Sequence, residues 1–219
     1  MTLDFEAARF NMIEQQIRPW DVLDEQVLEA CRKIPRELFV PEKFKTLAFS
    51  DVGLPLGYGE MMMSPKVEAR LLQCLGIQPG DRVLEIGTGS GHLTALLATL
   101  AAHVTSIEIR SELHEQARGA LRVAGVNNIK LHIGDGIEGW STAEPYDVIV
   151  ITGSSPERLA TMENQLSLGG RMFVVLGTEP VMEACIITRN SRDVWTVETI
   201  FETSLAPLKG AERPAQFQF

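Results

Sequence analysis

Apolar positions recur at helical spacing in the first part of the chain and give way to strand-and-helix alternation after residue 65. Phe5, Ala8, Met12, Ile13 and Ile17 lie on one helical face, which predicts a helix over residues 4–17. Val27, Leu28 and Cys31 do the same over 24–33, with Asp24 placed to cap that helix and Pro35 to end it. Between Pro35 and Pro65 the chain is rich in Pro and Gly and holds no period. An ordered but irregular segment of that length suggests a binding role. Val67, Leu71, Leu72 and Leu75 then mark a further helix, closed by the turn Gln78-Pro79-Gly80-Asp81.

From there, predicted strands at 82–86, 104–109, 129–133, 146–151 and 171–176 alternate with predicted helices at 91–101, 111–124 and 156–166. Such alternation builds a mostly parallel sheet with helices on both faces. Two later strand-like runs, 184–188 and 195–201, have no helix between them, as an antiparallel edge requires. The expected architecture is an α/β fold with a mostly parallel sheet, an antiparallel edge and a helical N-terminal extension. Residues 1–65 would form the extension and its loop, and 66–219 the α/β domain, packed together as one unit.

At 219 residues the chain is long enough for one such core. Its net charge of −9 argues against a non-specific nucleic-acid binder, which needs a basic face to neutralise phosphates. The first residues, MTLDFEAARF, lack a signal pattern, and no apolar run approaches the ~20 residues that span a bilayer. A cytoplasmic protein acting on neither membrane nor nucleic acid is expected. Cys31, Cys74 and Cys185 are far apart and outside any C-x-x-C pair, so thiols in or near the core are expected rather than disulfides or zinc. His103, His114 and His132 show no ligand spacing either, and no metal is expected.

The chemistry concentrates in Val83-Leu84-Glu85-Ile86-Gly87-Thr88-Gly89-Ser90-Gly91, a strand running into a glycine-rich turn and a helix. In open α/β sheets ligands bind at such a turn, at the carboxyl ends of the strands. A dinucleotide fingerprint needs a small residue at the position held here by the bulky His92. Glu85 would also be awkward beside a pyrophosphate, but it suits a ligand carrying an ammonium and a sulfonium. S-adenosyl-L-methionine carries both, and S-adenosyl-L-homocysteine would be its product. On this reading Glu85, Gly87, Thr88, Gly89 and Gly91 form the loop on its methionine side. Glu108, at the end of the second strand, accepts from ribose hydroxyls. Asp135 with Gly136, at the end of the third, borders the adenine. His92 is read as a packing residue.

At this point the chain resembles the protein-L-isoaspartate O-methyltransferases, over most of the stretch from Ile34 to Leu208. Ile34-Pro35-Arg36-Glu37-Leu38-Phe39-Val40-Pro41 is similar to the family's VPR-x-x-FVP, and Leu54-Pro55-Leu56-Gly57-Tyr58-Gly59 to its LPIG-x-G. Pro145-Tyr146-Asp147-Val148-Ile149 and Gln165-Leu166-Ser167-Leu168-Gly169-Gly170-Arg171 match later segments. The resemblance implies a Rossmann-like methyltransferase fold and a carboxyl O-methyltransferase acting on isoaspartyl residues of damaged proteins. The family continues with Q-T-I-S-x-P, whereas this chain has Glu60-Met61-Met62-Met63-Ser64-Pro65. Met61 thus takes the Thr position and Met63 the Ser position, with Ser64 one place out of register. Thioethers do not donate to a carboxylate. Glu60, Met61, Met63 and Thr152 are the expected acceptor pocket, with Met63 and Ser64 at the catalytic position. Ser154 and Ser155 replace alanines of the family and would line that pocket or cap the next helix. The departure keeps two alternatives open: a less polar, small-molecule or polymeric acceptor, or a non-catalytic protein that binds S-adenosylmethionine.

Overall fold

The structure, a computed structural model, describes residues 4–211. Helix α1 (Phe5–Met12) is capped by the Asp4 carboxylate, which accepts from Ala7 N at 3.1 Å. It continues as a π-helical turn, Ile13–Ile17, and a 3-10 turn, Arg18–Trp20. Pro19 explains the change of winding, because it offers no N–H to the regular ladder and its ring crowds the preceding turn. Helix α2 (Glu25–Lys33) has the expected Asp24 cap, with Gln26 N donating at 2.8 Å. The Pro/Gly-rich segment is ordered as two short 3-10 turns and a hairpin of β1 (Leu54–Gly57) and β2 (Glu60–Met62), ending at α3 (Pro65–Leu75).

The remaining elements are β3 (Arg82–Ile86), α4 (His92–Leu100), β4 (His103–Glu108), α5 (Ser111–Val123), β5 (Ile129–Ile133), β6 (Tyr146–Ser155), α6 (Ala160–Asn164), β7 (Leu166–Thr178), β8 (Val181–Ser191) and β9 (Val194–Glu202). The seven-stranded sheet has the order β5-β4-β3-β6-β7-β8-β9. Its first five strands pair in parallel and the last two are antiparallel. The α/β fold with an antiparallel edge is therefore the observed one. The chain steps outward from β3 to β5, then returns to lay β6 on the other side of β3. That reversal opens a crevice at the carboxyl ends of β3, β4 and β6.

One expected element shrinks. The helix at 156–166 is only Ala160–Asn164, because residues 156–159 turn the chain and Leu166 already begins β7; before that turn, β6 runs past its expected end to Ser155. Its register shifts after Val150, and Ser154 and Ser155 then pair with Val175 and Leu176.

Alternate residues of the strands feed two apolar layers. Val83, Val104, Val148 and Phe173 pack with Ile17, Leu28, Leu72 and Leu96 on one side, while Leu84, Ile86, Ile107 and Ile149 pack with Met162 on the other.

A buried ion cluster joins the N-terminal segment to the first layer. Arg36 is 1% exposed; its Nε donates to Ala48 O at 2.9 Å and its Nη2 to Met63 O at 2.6 Å. Its Nη1 pairs with the Glu68 carboxylate, which also sits 2.9 Å from His92 Nδ1. Burial works against the Glu68 charge, yet Arg36 and His92 hold its carboxyl below the ordinary range. Burial also lowers His92, and its Nδ1 stands between the Glu68 carboxylate and Arg36 Nη1, the latter 3.0 Å away. His92 is therefore more than the packing residue expected: it is a polar member of the buried cluster, away from the cavity wall described below, and Phe39 meets its ring edge-on at 5.5 Å.

Candidate functional site

A cavity of about 400 Å³ occupies the crevice where the strand order reverses. Its floor is the ends of three strands: Ile86 closes β3 before Gly87 and Gly89, Glu108 closes β4 before Ile109 and Arg110, and Gly134 to Ile137 follow β5. Thr152 and Gly153 of β6 close the inner end. Two segments outside the sheet supply the rest, the hairpin β1–β2 through Leu56 to Met61 and the C-terminal stretch 205–209. That stretch is tied to β6: Ser154 N donates to Ala206 O at 2.9 Å and Leu208 N donates to Ser154 O at 2.8 Å.

Gly87, Gly89, Glu108, Asp135, Gly136, Thr152, Glu60 and Met61 all line this cavity. The Glu108 carboxylate is 4% exposed and spans the loop, accepting from Gly89 N at 2.8 Å and Arg110 N at 3.0 Å. Each oxygen keeps a second lone pair for a ligand hydroxyl. Thr152 Oγ1 serves the loop beneath, lying 3.0 Å from Ile86 O and 2.9 Å from Gly87 O, with one hydrogen to give. It fixes the carbonyls of the turn and has no proton left to offer an acceptor.

Other expected site residues lie elsewhere. Glu85 does not reach the cavity wall, because it points to the opposite face of β3 from Ile86. It is 0% exposed; Thr94 Oγ1 donates to it at 2.5 Å and Ser106 Oγ at 2.6 Å. Thr88 is likewise buried, 2.6 Å from Ser106. Gly91 serves packing: a Cβ there would sit 3.1 Å from Ala117 and Leu121 of α5. Met63 is buried with its carbonyl taken by Arg36, and Ser64 stands at the start of α3, so neither lines the cavity. Ser154 and Ser155 neither line it nor cap a helix. Their hydroxyls donate to Leu205 O at 2.9 Å and to Glu157 O at 2.6 Å, holding the C-terminal stretch and the turn after β6.

Burial pushes the Glu85 carboxyl up to about 8, outweighing the two hydroxyls, which favour its charged form. The folded chain therefore keeps this proton at pH 7 while the unfolded chain, with an ordinary value near 4.5, releases it. Stability falls as pH rises between those values and levels off above the folded one. The Glu85→Gln variant lacks that loss, although its amide carries a pH-independent cost where Oε1 has no partner. Melting curves at pH 5 and pH 8 should show wild type losing on the order of 1–3 kcal/mol to the variant across the interval. A flat or reversed difference would mean the carboxylate is charged in the fold.

Residues that sequence reasoning missed complete the wall. Arg110 forms an ion pair with Glu60 at 2.8 Å and lies 5.7 Å from the Tyr58 ring centroid. Leu56, Leu113, Ile137 and Lys209 add an apolar slot and a cation. Only the position of Arg110, two residues beyond Glu108, hinted at its place; its partner comes from a segment 50 residues away.

The donor set fits S-adenosylmethionine. Ile86, Ile107 and Ile137 offer apolar wall to a flat ring, the Glu108 carboxylate suits a diol, and backbone at Gly87 and Gly89 allows close approach. Among the described residues no cluster of His, Cys, Asp and Glu could hold a metal ion.

Comparison with known proteins points the same way. The sequence profile of the family described as protein-L-isoaspartate(D-aspartate) O-methyltransferase matches residues 8–213. The chain is 38% identical over 209 residues to protein-L-isoaspartate O-methyltransferase 1 of Rhodopseudomonas palustris, covering 95% of this chain and 85% of that one. It is 42% identical over 189 residues to the protein-L-isoaspartate O-methyltransferase of Methanoculleus marisnigri, covering 86% of each. A Plasmodium falciparum protein assigned to this enzyme class, solved with S-adenosyl-L-homocysteine, superposes with TM-score 0.80 over 94% of this chain and 99% of its own. At 15% identity that likeness speaks for the fold alone. A solved protein-L-isoaspartate O-methyltransferase superposes equally well, TM-score 0.80, at 25% identity, over 91% of this chain and 65% of its own.

Proposed function

From the membership of this chain in the protein-L-isoaspartate(D-aspartate) O-methyltransferase family we infer how its cavity divides the labour of the reaction. The protein is an S-adenosylmethionine-dependent methyltransferase acting on the carboxylate of isoaspartyl residues. The cofactor, when bound, supplies a methyl group made electrophilic by a sulfonium. The observation that carries the site assignment is the cavity at the reversal of strand order, floored by the glycine turn and walled by the hairpin and the C-terminal stretch.

Gly87 and Gly89 hold the amino-acid end through backbone, and Glu108 takes the ribose hydroxyls. Asp135 and Gly136 border the adenine. Met61, on the hairpin side, borders the transferred methyl group. The acceptor needs no general base, since a carboxylate with pKa near 4 is already ionised at pH 7. What the chain must supply is alignment and the exclusion of water. The Glu60 charge does not repel an anionic acceptor, because Arg110 neutralises it. Cytoplasmic action belongs to the same proposal and agrees with three free cysteines. No helix among the described residues is long and apolar enough to cross a membrane.

Transfer of labelled methyl groups to an isoaspartyl peptide, against its aspartyl twin, tests the acceptor. Selective labelling of the isoaspartyl peptide is the expected result. Met61, 53% exposed and on the cavity wall, favours a second reading with a less polar acceptor. Cofactor binding without peptide labelling would select that reading.

A further inference from the structure

The hairpin and the main sheet meet across the cavity mouth through one charged contact. Glu60 belongs to β2 of the small ribbon, and Arg110 to the junction of β4 and α5. Arg110 Nε and Nη2 both lie 2.8 Å from Glu60 Oε1. Tyr58, between two glycines at the hairpin turn, is held in the left-handed region at φ 58°, which a bulky residue adopts only under constraint. That conformation carries its half-exposed ring over the Arg110 guanidinium. All three residues line the cavity, and none is needed to build the turn that floors it.

We propose that Glu60, Arg110 and Tyr58 form a clasp that closes the hairpin over bound cofactor and sets how long it stays. The inference rests on the reading that this cavity takes S-adenosylmethionine. Side-chain exposures of 29% and 39% leave the ion pair open to solvent, where such pairs are weak and screened by salt. A weak latch suits an exchange that must occur at each turnover: it breaks thermally, yet while closed it bars the path out. Glu60 and Arg110 are thus positioning residues, holding Leu56 and Met61 of the hairpin against the site.

The test is the dissociation rate of S-adenosyl-L-homocysteine, followed by displacement with excess unlabelled ligand at several salt concentrations. This probe is net neutral, which keeps the direct effect of one protein charge on it small, and any such effect would have opposite signs in variants that remove opposite charges. Glu60→Gln and Arg110→Gln should both speed release, by roughly 3–10-fold at low salt. Both should lose the salt dependence that wild type shows. The exchanged pair Glu60→Arg with Arg110→Glu should restore part of the slow release, the ion pair returning without the cation under the Tyr58 ring, and that recovery also answers for folding. Unchanged rates in both single variants would overturn the clasp. Opposite shifts in the two would overturn it in favour of simple field effects on the ligand. A raised KM for the isoaspartyl peptide at unchanged release would overturn it in favour of an acceptor contact. Failure of wild type to bind the probe would instead sink the cofactor reading, and the clasp with it.

Discussion

The Gly89→Asp variant is expected to fold and to lose S-adenosylmethionine binding by at least two orders of magnitude. Gly89 has φ 54°, in the left-handed region, where Asp is among the better tolerated side chains. A Cβ there meets only the end of the Leu56 side chain, at 3.3 Å, so the turn survives the change. The new carboxylate would stand beside Glu108, which already accepts from Gly89 N at 2.8 Å. That repulsion is carried by the free and the liganded protein alike, so it weakens the turn, and the hundredfold loss of affinity, ~2.7 kcal/mol, comes from what the side chain does inside the cavity. The side chain fills space on the cavity wall. Calorimetric titration, with a melting curve on the same preparation, separates lost binding from lost folding. Affinity within threefold of wild type would remove the glycine turn from the site.

The largest effect on stability is expected from Arg36→Ala. It strips the partner from the Glu68 carboxylate in a place where Glu68 is 2% exposed and Arg36 is among the largest fully buried side chains. Breaking a buried pair from one side costs about 3–5 kcal/mol, which in a chain of this size lowers Tm by roughly 6–20 °C. Two backbone carbonyls, Ala48 O and Met63 O, lose their donor as well. The pH dependence carries a sign. Glu68 is held low in the fold, so its contribution is present above the ordinary carboxylate range and is lost as pH falls through the folded value. The gap between wild type and variant should therefore narrow in acid. The double variant Arg36→Met with Glu68→Leu should recover much of the loss, because it removes the stranded charge. If the single variant melts within 2 °C of wild type, the cluster contributes little.

The parts of the fold written in simple periods were legible. β3 and β5 begin and end where alternating Val, Leu and Ile placed them, and β4 is within a residue at each end. The hairpin β1–β2 was not, because its strands are 4 and 3 residues long, too short to show a period. The run of β6 past its expected end was hidden because Thr152-Gly153-Ser154-Ser155 reads as a turn. Those residues are held in the strand by β7 and by the C-terminal stretch. In the site, backbone positions at strand ends could be inferred from the loop pattern. The error at Glu85 was avoidable, since strand parity puts Glu85 and Ile86 on opposite faces. The Met63 and Ser64 placement was not, because it depends on Arg36 drawing the Met63 carbonyl inward from 27 positions away.

The stretch 205–209 separates what makes the fold from what makes the container. It is bonded along Ser154 and forms one wall of the cavity, yet it follows every strand among the described residues. A chain cut after β9 would keep each of those strands and lose that wall. Framework and container are thus encoded in different lengths of the same sequence, and a change confined to five residues can alter what the cavity retains while every sheet pairing stays in place.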